Sequence, residues 1–126
     1  MTARNAKTNP PLITVFTGIY NGAKYLESLK NQLLSQTCQL FDIVILDNDS
    51  TDSSWNDLQE WKTIFGARLK LYRNATNLGG GGSLEEVITR RLITTPWFAT
   101  LHQDDFYMPN HLETLITAIQ SAPNTS

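Results

Sequence analysis

Four short apolar runs, each followed by a segment with the spacing of an amphipathic helix, constrain the fold of this chain more than any other feature. Strands that alternate with helices predict a parallel sheet with helices on both faces. The runs are apolar throughout, which is typical of strands buried on both faces. The sequence therefore predicts an α/β, Rossmann-like βαβαβαβα fold with a mainly parallel sheet. The predicted strands are Leu12–Phe16, Phe41–Leu46, Leu69–Tyr72 and Trp97–Leu101.

The predicted helices have recognisable start and stop signals. Gly66 is placed to end the second helix, and Ser83 with Glu86 three residues on forms a capping box that opens the third. The glycine-rich segment Asn77–Gly82 is predicted to be a flexible loop before it. The predicted helices are Ala23–Gln36, Asp52–Phe65, a segment from Ser83 through Leu92, and Pro109–Ala122.

Composition limits the class of protein. A chain of 126 residues predicts one domain: a flexible tail over residues 1–11 and a folded unit over 12–126. The net charge of -2 gives no electrostatic case for nucleic acid or an anionic membrane as main partner. Cys38 is alone, which excludes an internal disulfide. No segment approaches the roughly 20 apolar residues of a membrane span, so we expect a cytoplasmic protein, with peripheral membrane association left open.

Polar and glycine residues follow all four predicted strands. In an open parallel sheet, ligands bind outside the carboxyl ends of the strands, where the strand order reverses. The segments that follow the strands are Thr17–Gly22, Asp47–Asp52, Arg73–Gly82 and His102–Asp105. The sequence therefore predicts a ligand site at this edge of the sheet.

Two adjacent acids, Asp104 and Asp105, come three and four residues after the end of the last predicted strand. Two neighbouring carboxylates repel each other unless a positive charge lies beside them. This favours binding of a divalent metal ion and, through it, of a phosphate group. The alternative is a turn and helix cap before Pro109. His102 is either a hydrogen-bonded structural group or a ligand contact.

The end of the second strand is also rich in polar side chains. Asp49, Ser50 and Asp52 are typical of helix caps. Asp47 and Asn48 lie closer to the strand, where a side chain can accept from or donate to a nucleobase edge, or simply form a turn. The residues leave these two interpretations of Asp47 and Asn48 open.

Two further features allow a ligand or a structural role. Tyr20 is either a packing residue or a ring that stacks on a base. The glycines Gly79–Gly82 either form a mobile loop or permit close approach of the backbone to a ligand, with Ser83 opening a helix whose N-terminus favours anions.

Taken in order, these segments resemble the N-terminal, nucleotide-binding half of family 2 glycosyltransferases, which have the GT-A fold. Ile13–Leu26 is similar to the family's opening strand, Tyr-Asn loop and helix, and Phe41–Asp52 to its strand followed by Asp-Asp/Asn-x-Ser-Thr-Asp. Asn77–Gly79 matches its Asn-x-Gly loop. His102–Asp105 stands where its Asp-x-Asp metal motif falls.

The resemblance implies a donor-binding role. It assigns nucleotide contacts to Thr17, Tyr20, Asp47, Asn48 and Asp104, and it assigns Mg²⁺ or Mn²⁺ binding to Asp104. The implied substrates are a UDP-, dTDP- or GDP-linked sugar and the hydroxyl of a saccharide or lipid-linked acceptor. Neutralisation of the departing diphosphate by the metal is the implied chemistry.

The sequence departs from the family pattern in three places. His102 replaces the first acid of the metal motif, and Gly18 stands where proline, serine or threonine is usual. The catalytic base is expected in a C-terminal half beyond Ser126, so a truncated transferase is predicted.

Two alternatives remain. One is an inactive nucleotide-sugar-binding or scaffold module. The other is a short-chain dehydrogenase, suggested by Gly18 and Gly22 after the first strand, although Lys24 occupies the place of the last glycine of that motif.

Overall fold

The four strands form one sheet in which every neighbouring pair is parallel, and its order is β3-β2-β1-β4. A computed structural model describes residues 10–121, so most of the predicted tail lies outside the described residues. The predicted α/β architecture with a parallel sheet is confirmed. The strands are Ile13–Ile19 (β1), Phe41–Asp47 (β2), Leu69–Arg73 (β3) and Trp97–Thr100 (β4).

Among residues 10–121, five α-helices connect or follow the strands: Ala23–Leu34 (α1), Ser54–Gln59 (α2), Trp61–Phe65 (α3), Gly79–Thr89 (α4) and His111–Ser121 (α5). The last helix begins two residues after the predicted Pro109, whose carbonyl instead accepts the N–H of Thr37 at 2.8 Å. Within residues 10–121, no helix combines the length and apolar character needed to cross a bilayer. The cytoplasmic location stays a prediction.

The sheet separates two apolar cores. Alternate residues of β1 and β2 face opposite sides, as the two-residue period of a strand requires. The larger core joins one face to α1, α2, α3 and α5, and the smaller core joins the other face to α4. The larger core includes Ile13, Val15, Ile19, Phe41, Ile43, Ile45, Leu29, Leu58, Phe65 and Leu112. The smaller core contains Phe16, Val44, Leu46 and Val87.

The predicted helix Asp52–Phe65 is interrupted at Glu60, so the prediction of one continuous helix was wrong. At the interruption, Glu60 N–H donates to the Asp57 carbonyl and Thr63 N–H to the Glu60 carbonyl, each at 3.2 Å. Both bonds join residues three apart and tighten the helix locally. The apolar side chains of both pieces are nevertheless buried in the same core.

The predicted glycine loop and capping box were also wrong, because α4 begins at Gly79, four residues before Ser83. The Ser83 side chain is buried, and its hydroxyl donates to the Gly79 carbonyl at 2.6 Å and accepts from the Asn48 amide at 2.7 Å. Asn77 Oδ1 accepts the N–H of Gly79 at 2.9 Å. These side-chain bonds hold a helical first turn despite the low helix propensity of glycine.

The fourth strand is not buried as predicted. Among the described strands, β4 pairs with β1 alone and forms one edge of the sheet. Trp97 is 46% exposed and Phe98 is 44% exposed. Apolar character predicted burial here, but an edge strand has a neighbour on one side only.

Two buried glutamines, Gln32 of α1 and Gln36 just after that helix, anchor the segment that leads from β4 into the first turn of α5. Gln32 accepts the N–H of Tyr107 at 2.7 Å and donates to the Asp105 carbonyl at 3.2 Å. One turn later, Gln36 accepts the N–H of Leu112 at 3.0 Å and donates to the Met108 carbonyl at 2.9 Å. Four backbone groups of this segment are thus held by the two glutamine side chains.

We expect Gln32→Leu to destabilise the protein by about 1–3 kcal/mol, because it leaves the N–H of Tyr107 buried without a partner. Urea unfolding followed by circular dichroism measures the difference. Gln120→Leu, the same change at an exposed position of α5, is the matched control and should alter stability by less than about 0.5 kcal/mol. Equal effects of the two substitutions would show that the Gln32 bonds contribute nothing specific.

Candidate functional site

A cleft of about 490 Å³ opens at the carboxyl ends of the strands. It lies where the strand order reverses, since β2 and β3 are on one side of β1 and β4 is on the other. This is the position at which open α/β sheets bind ligands. The cleft is lined by Phe16, Gly18, Tyr20, Asn48, Asn77, Gly79, Gly81, Ser83, Leu84, Thr100, Leu101, His102 and Gln103.

The loop after β1 is closed by side chains from the loop after β2 and from the first residue of α2. The N–H of Asn21 donates to Ser50 Oγ at 2.9 Å, and that of Gly22 donates to Ser54 Oγ at 3.0 Å. The N–H of Ala23 donates to an Asp52 carboxylate oxygen at 3.1 Å. The N–H groups of Asn21, Gly22 and Ala23 therefore already have protein acceptors, which argues against a dinucleotide pyrophosphate of the dehydrogenase type at this loop.

The predicted capping of α2 by Asp49, Ser50 or Asp52 is not observed, because the N-cap residue of that helix is Ser53 and it makes no side-chain capping bond. Ser50 and Asp52 instead hold the backbone just before and at the start of α1. Burial by itself raises the pKa of Asp52, but hydrogen bonds from Ser54 and from the backbone N–H of Ala23 outweigh it and lower the pKa below its ordinary value. Asn21 Oδ1 closes the loop in the other direction by accepting the N–H of Thr51 at 2.7 Å.

The Asp47 carboxylate is fully buried and faces the turn that follows β2. It accepts the hydroxyl of Ser50 at 2.6 Å and the N–H of Ser50 at 3.1 Å. Arg73 Nε lies 3.5 Å away. Asp47 does not line the cleft, and Thr17, which lies within β1 and is 2% exposed, does not line it either. Nucleotide contacts by these two residues stay predictions.

Asn48 does line the cleft, although its side chain is only 4% exposed. Its Oδ1 accepts from Asn74 Nδ2 at 3.0 Å, and its Nδ2 donates to Ser83 Oγ at 2.7 Å. Asn48, for which the residues left a nucleobase contact and a turn open, is therefore held by hydrogen bonds at the wall of the cleft, just after β2 and against α4.

The Tyr20 ring also lines the cleft and is 42% exposed. Its backbone is held by Gln103, whose Oε1 accepts the Tyr20 N–H at 3.0 Å and whose Nε2 donates to the Tyr20 carbonyl at 3.3 Å. Sequence reasoning missed Gln103, because a contact between residues 83 positions apart has no local signal. We call this pair of bonds the Gln103 clamp.

The carboxylates after β4 have different surroundings. Asp105 accepts the N–H of His102 at 3.2 Å and donates its own N–H to the His102 carbonyl at 3.0 Å, which closes a turn. Asp104 is exposed, and within residues 10–121 its carboxylate has no recorded partner. No group of three or more His, Cys, Asp or Glu side chains in that part of the chain is placed to hold a metal.

Tyr107 fixes the segment that follows these acids. Its hydroxyl donates to the Thr100 carbonyl at 2.5 Å, and its ring stacks on the imidazole of His111 with centroids 4.0 Å apart. Burial, with a contribution from the negative charge of Asp105, raises the pKa of Tyr107 to about 12.

The family is established by comparison with known proteins. The model of Glycosyl transferase family 2 matches residues 14–126, and the chain belongs to that family. A protein of Haemophilus influenzae described as an uncharacterised glycosyltransferase is 28% identical over 89% of this chain and 34% of its own length. One from Nostoc sp., also described as an uncharacterised glycosyltransferase, is 30% identical over 87% of this chain and 33% of its own. The chain thus spans about a third of these relatives.

Solved structures confirm the fold. S. aureus TarS 1–349 in complex with UDP-GlcNAc superposes with a TM-score of 0.74 at 24% identity, covering 86% of this chain and 31% of that one. The mannosyltransferase PcManGT from Pyrobaculum calidifontis, in complex with GDP-Man and Mn²⁺, superposes with a TM-score of 0.73 at 20% identity. The match covers 96% of this chain and 35% of PcManGT. The fold is that of GT-A glycosyltransferases.

Gly22→Ala is expected to break the Gln103 clamp, since a Cβ at residue 22 would lie 2.5 Å from Gln103 Oε1. The flexible glutamine can move away, so the cost should be about 1–2 kcal/mol for the lost bonds. In a Gln103→Ala background the same change should cost little, and denaturant unfolding of the four proteins of this cycle gives the coupling. Gly81→Ala, where a Cβ meets nothing within 4 Å, is the control. Additive effects of the Gly22 and Gln103 changes would contradict the clamp.

Alkaline pH should destabilise the fold through Tyr107. Because its pKa is about 12 against an ordinary 10.0, its contribution is fully present below pH 10 and is lost as the pH rises towards 12. We expect the free energy of unfolding of the wild-type protein to fall by on the order of 2 kcal/mol over this interval. Tyr107→Phe should not show this loss. Urea unfolding at a series of pH values measures it, with Tyr25→Phe as control. An unchanged alkaline loss in Tyr107→Phe would argue against this assignment.

Proposed function

We propose that this chain is the donor-binding part of a glycosyltransferase that takes a nucleoside-diphosphate sugar. The cleft at the reversal of strand order carries this proposal, because its lining combines a fixed amide at Asn48 with an aromatic ring at Tyr20. Asp104 lies outside the lining but directly follows its residue Gln103, and its exposed carboxylate has no recorded partner within residues 10–121. Family membership and the sugar nucleotides bound by TarS and PcManGT support it.

The cleft offers different chemistry to the two ends of a nucleotide. Its inner wall, with Phe16, Leu84 and Asn48, is apolar apart from the amide and suits a nucleobase. The Tyr20 ring is exposed enough to stack on that base. His102 and Gln103 lead from the cleft to Asp104, so the diphosphate would lie towards the exposed acid.

The donor set at Asp104 fits a hard divalent cation. Mg²⁺ is commonly held by one or two carboxylates together with substrate phosphates and waters. One exposed carboxylate is therefore a sufficient protein contribution, and Asp104 would hold Mg²⁺ or Mn²⁺ against the diphosphate. The bound ion would stabilise the negative charge that develops on the departing diphosphate.

The proposed reaction forms a bond between an acceptor hydroxyl oxygen and the anomeric carbon of the sugar, while the bond from that carbon to the diphosphate breaks. In this scheme, residues of the cleft hold and orient the donor and exclude water from it. A base elsewhere takes the proton of the acceptor hydroxyl, and we assign that role to no residue between 10 and 121. The acceptor is proposed to be a saccharide or lipid-linked hydroxyl.

A nucleotide-sugar-binding module without transfer activity is the second candidate. It is favoured by His102, which stands in the place of an acid of the metal motif. Binding without any release of UDP from a UDP-sugar in the presence of acceptors would distinguish this module from an enzyme.

Calorimetric titration with UDP, dTDP and GDP, with and without Mn²⁺, tests the proposal. We expect at least one diphosphate to bind, and its affinity to fall by about tenfold or more when Mn²⁺ is withheld or in Asp104→Ala, since a charge-assisted contact is lost. Glu60→Ala removes an exposed acid at the junction of α2 and α3 and should leave binding unchanged. No binding by a folded sample would overturn the proposal, and metal-independent binding would overturn the role of Asp104.

A further inference from the structure

The direction in which the Asn48 amide points is fixed by a chain of hydrogen bonds that can run only one way. At one end, the Arg90 guanidinium, which can only donate, lies 3.5 Å from Asn74 Oδ1. This leaves Asn74 Nδ2 to donate to Asn48 Oδ1 at 3.0 Å. At the other end, Ser83 Oγ gives its single hydrogen to the Gly79 carbonyl at 2.6 Å, so it must accept from Asn48 Nδ2 at 2.7 Å.

These contacts engage the acceptor oxygen of Asn48 more fully than its donor nitrogen. Oδ1 accepts from Asn74 and also faces the N–H of Leu78 at 3.5 Å. Nδ2 carries two hydrogens, and within the described residues only one of them, bonded to Ser83, has a recorded acceptor. Asn48 is thus a nearly buried residue in the cleft wall, and one hydrogen of its Nδ2 has no recorded acceptor within residues 10–121.

The neighbouring glycine keeps this N–H within reach of a ligand. Gly18 also lines the cleft, and a Cβ added to it would lie 3.7 Å from Asn48 Nδ2 and 3.6 Å from Ser83 Cβ. Proline, serine or threonine at this position would place further atoms against the Asn48 amide. The absence of a side chain at Gly18 therefore leaves Asn48 Nδ2 accessible from the cleft.

We propose that Asn48 recognises the nucleobase as a hydrogen-bond donor, through its second Nδ2 hydrogen, and this rests on the proposed function above. The base must then present an acceptor atom to residue 48, either a carbonyl oxygen or an unprotonated ring nitrogen. The ring N–H of uracil or guanine is not the group that Asn48 binds. An aspartate at the same position would have the opposite preference, because a carboxylate only accepts.

Methylation of the base distinguishes the two polarities. N3-methyl-UDP lacks the ring N–H of UDP but keeps both carbonyl oxygens, and N1-methyl-GDP relates to GDP in the same way. By calorimetry with Mn²⁺, we expect methylation of the preferred diphosphate to weaken binding to the wild-type protein by less than about threefold. Methylation should weaken binding to Asn48→Asp by a factor about tenfold larger than in wild type, because the variant loses one hydrogen bond to the ring N–H. Steric effects of the methyl group are common to both proteins and cancel in this comparison.

The outcomes separate this inference from the proposed function. If UDP or GDP binds but methylation costs the two proteins the same, or costs wild type more, the donor role of Asn48 is overturned while donor binding stands. Absence of binding by any diphosphate overturns both.

If Asn48→Asp does not fold, nuclear magnetic resonance of the wild-type protein replaces it. The two Asn48 Nδ2 hydrogens give separate signals, and UDP or GDP should shift chiefly the one that is not bonded to Ser83. The absence of such a shift in a saturated complex would overturn the inference.

Discussion

The hydrogen-bond ladder of β1 is the constraint on which the site depends, because it continues past the ends of the neighbouring strands. Asn48 N–H donates to the Ile19 carbonyl at 2.8 Å, one residue after β2 has ended. On the other side, Leu101 N–H donates to the Phe16 carbonyl at 2.9 Å, one residue after β4. Backbone bonds therefore place Asn48 and the start of the His102–Asp105 turn on opposite sides of one central strand, with the cleft above it.

Side-chain hydrogen bonds then fix the loops that follow the strands, which the backbone ladder does not hold. The loops after β1 and β2 are joined by Ser50, Ser54, Asp52 and Asn21, and the loops after β1 and β4 are joined by the Gln103 clamp. Bonds of this kind contribute about 1 kcal/mol each, so their value lies in geometry more than in stability. A preorganised cleft loses less entropy when a nucleotide binds.

Much of the fold could be predicted from the sequence, since apolar runs and helical spacing report directly on burial. The location of the site followed from the parallel order of the strands, and Tyr20 and Asn48 do lie in the cleft. The errors concern contacts between distant residues. Nothing local distinguishes a Ser83 that caps a helix from one that accepts a bond from Asn48, 35 positions away. Nor does local pattern show that Asp47 faces Arg73 rather than the cleft, or that the apolar β4 is an edge strand.

The two edges of the sheet differ in how they resist pairing with other molecules. β3 carries Lys70 and Arg73 along its edge, and charged side chains of this kind discourage the addition of a foreign strand. β4 has the sequence WFAT, without a charge, and exposes Trp97 and Phe98 on opposite faces. Self-association of this chain through its sheet is therefore directional. It is expected to favour β4, whose four residues carry no charge.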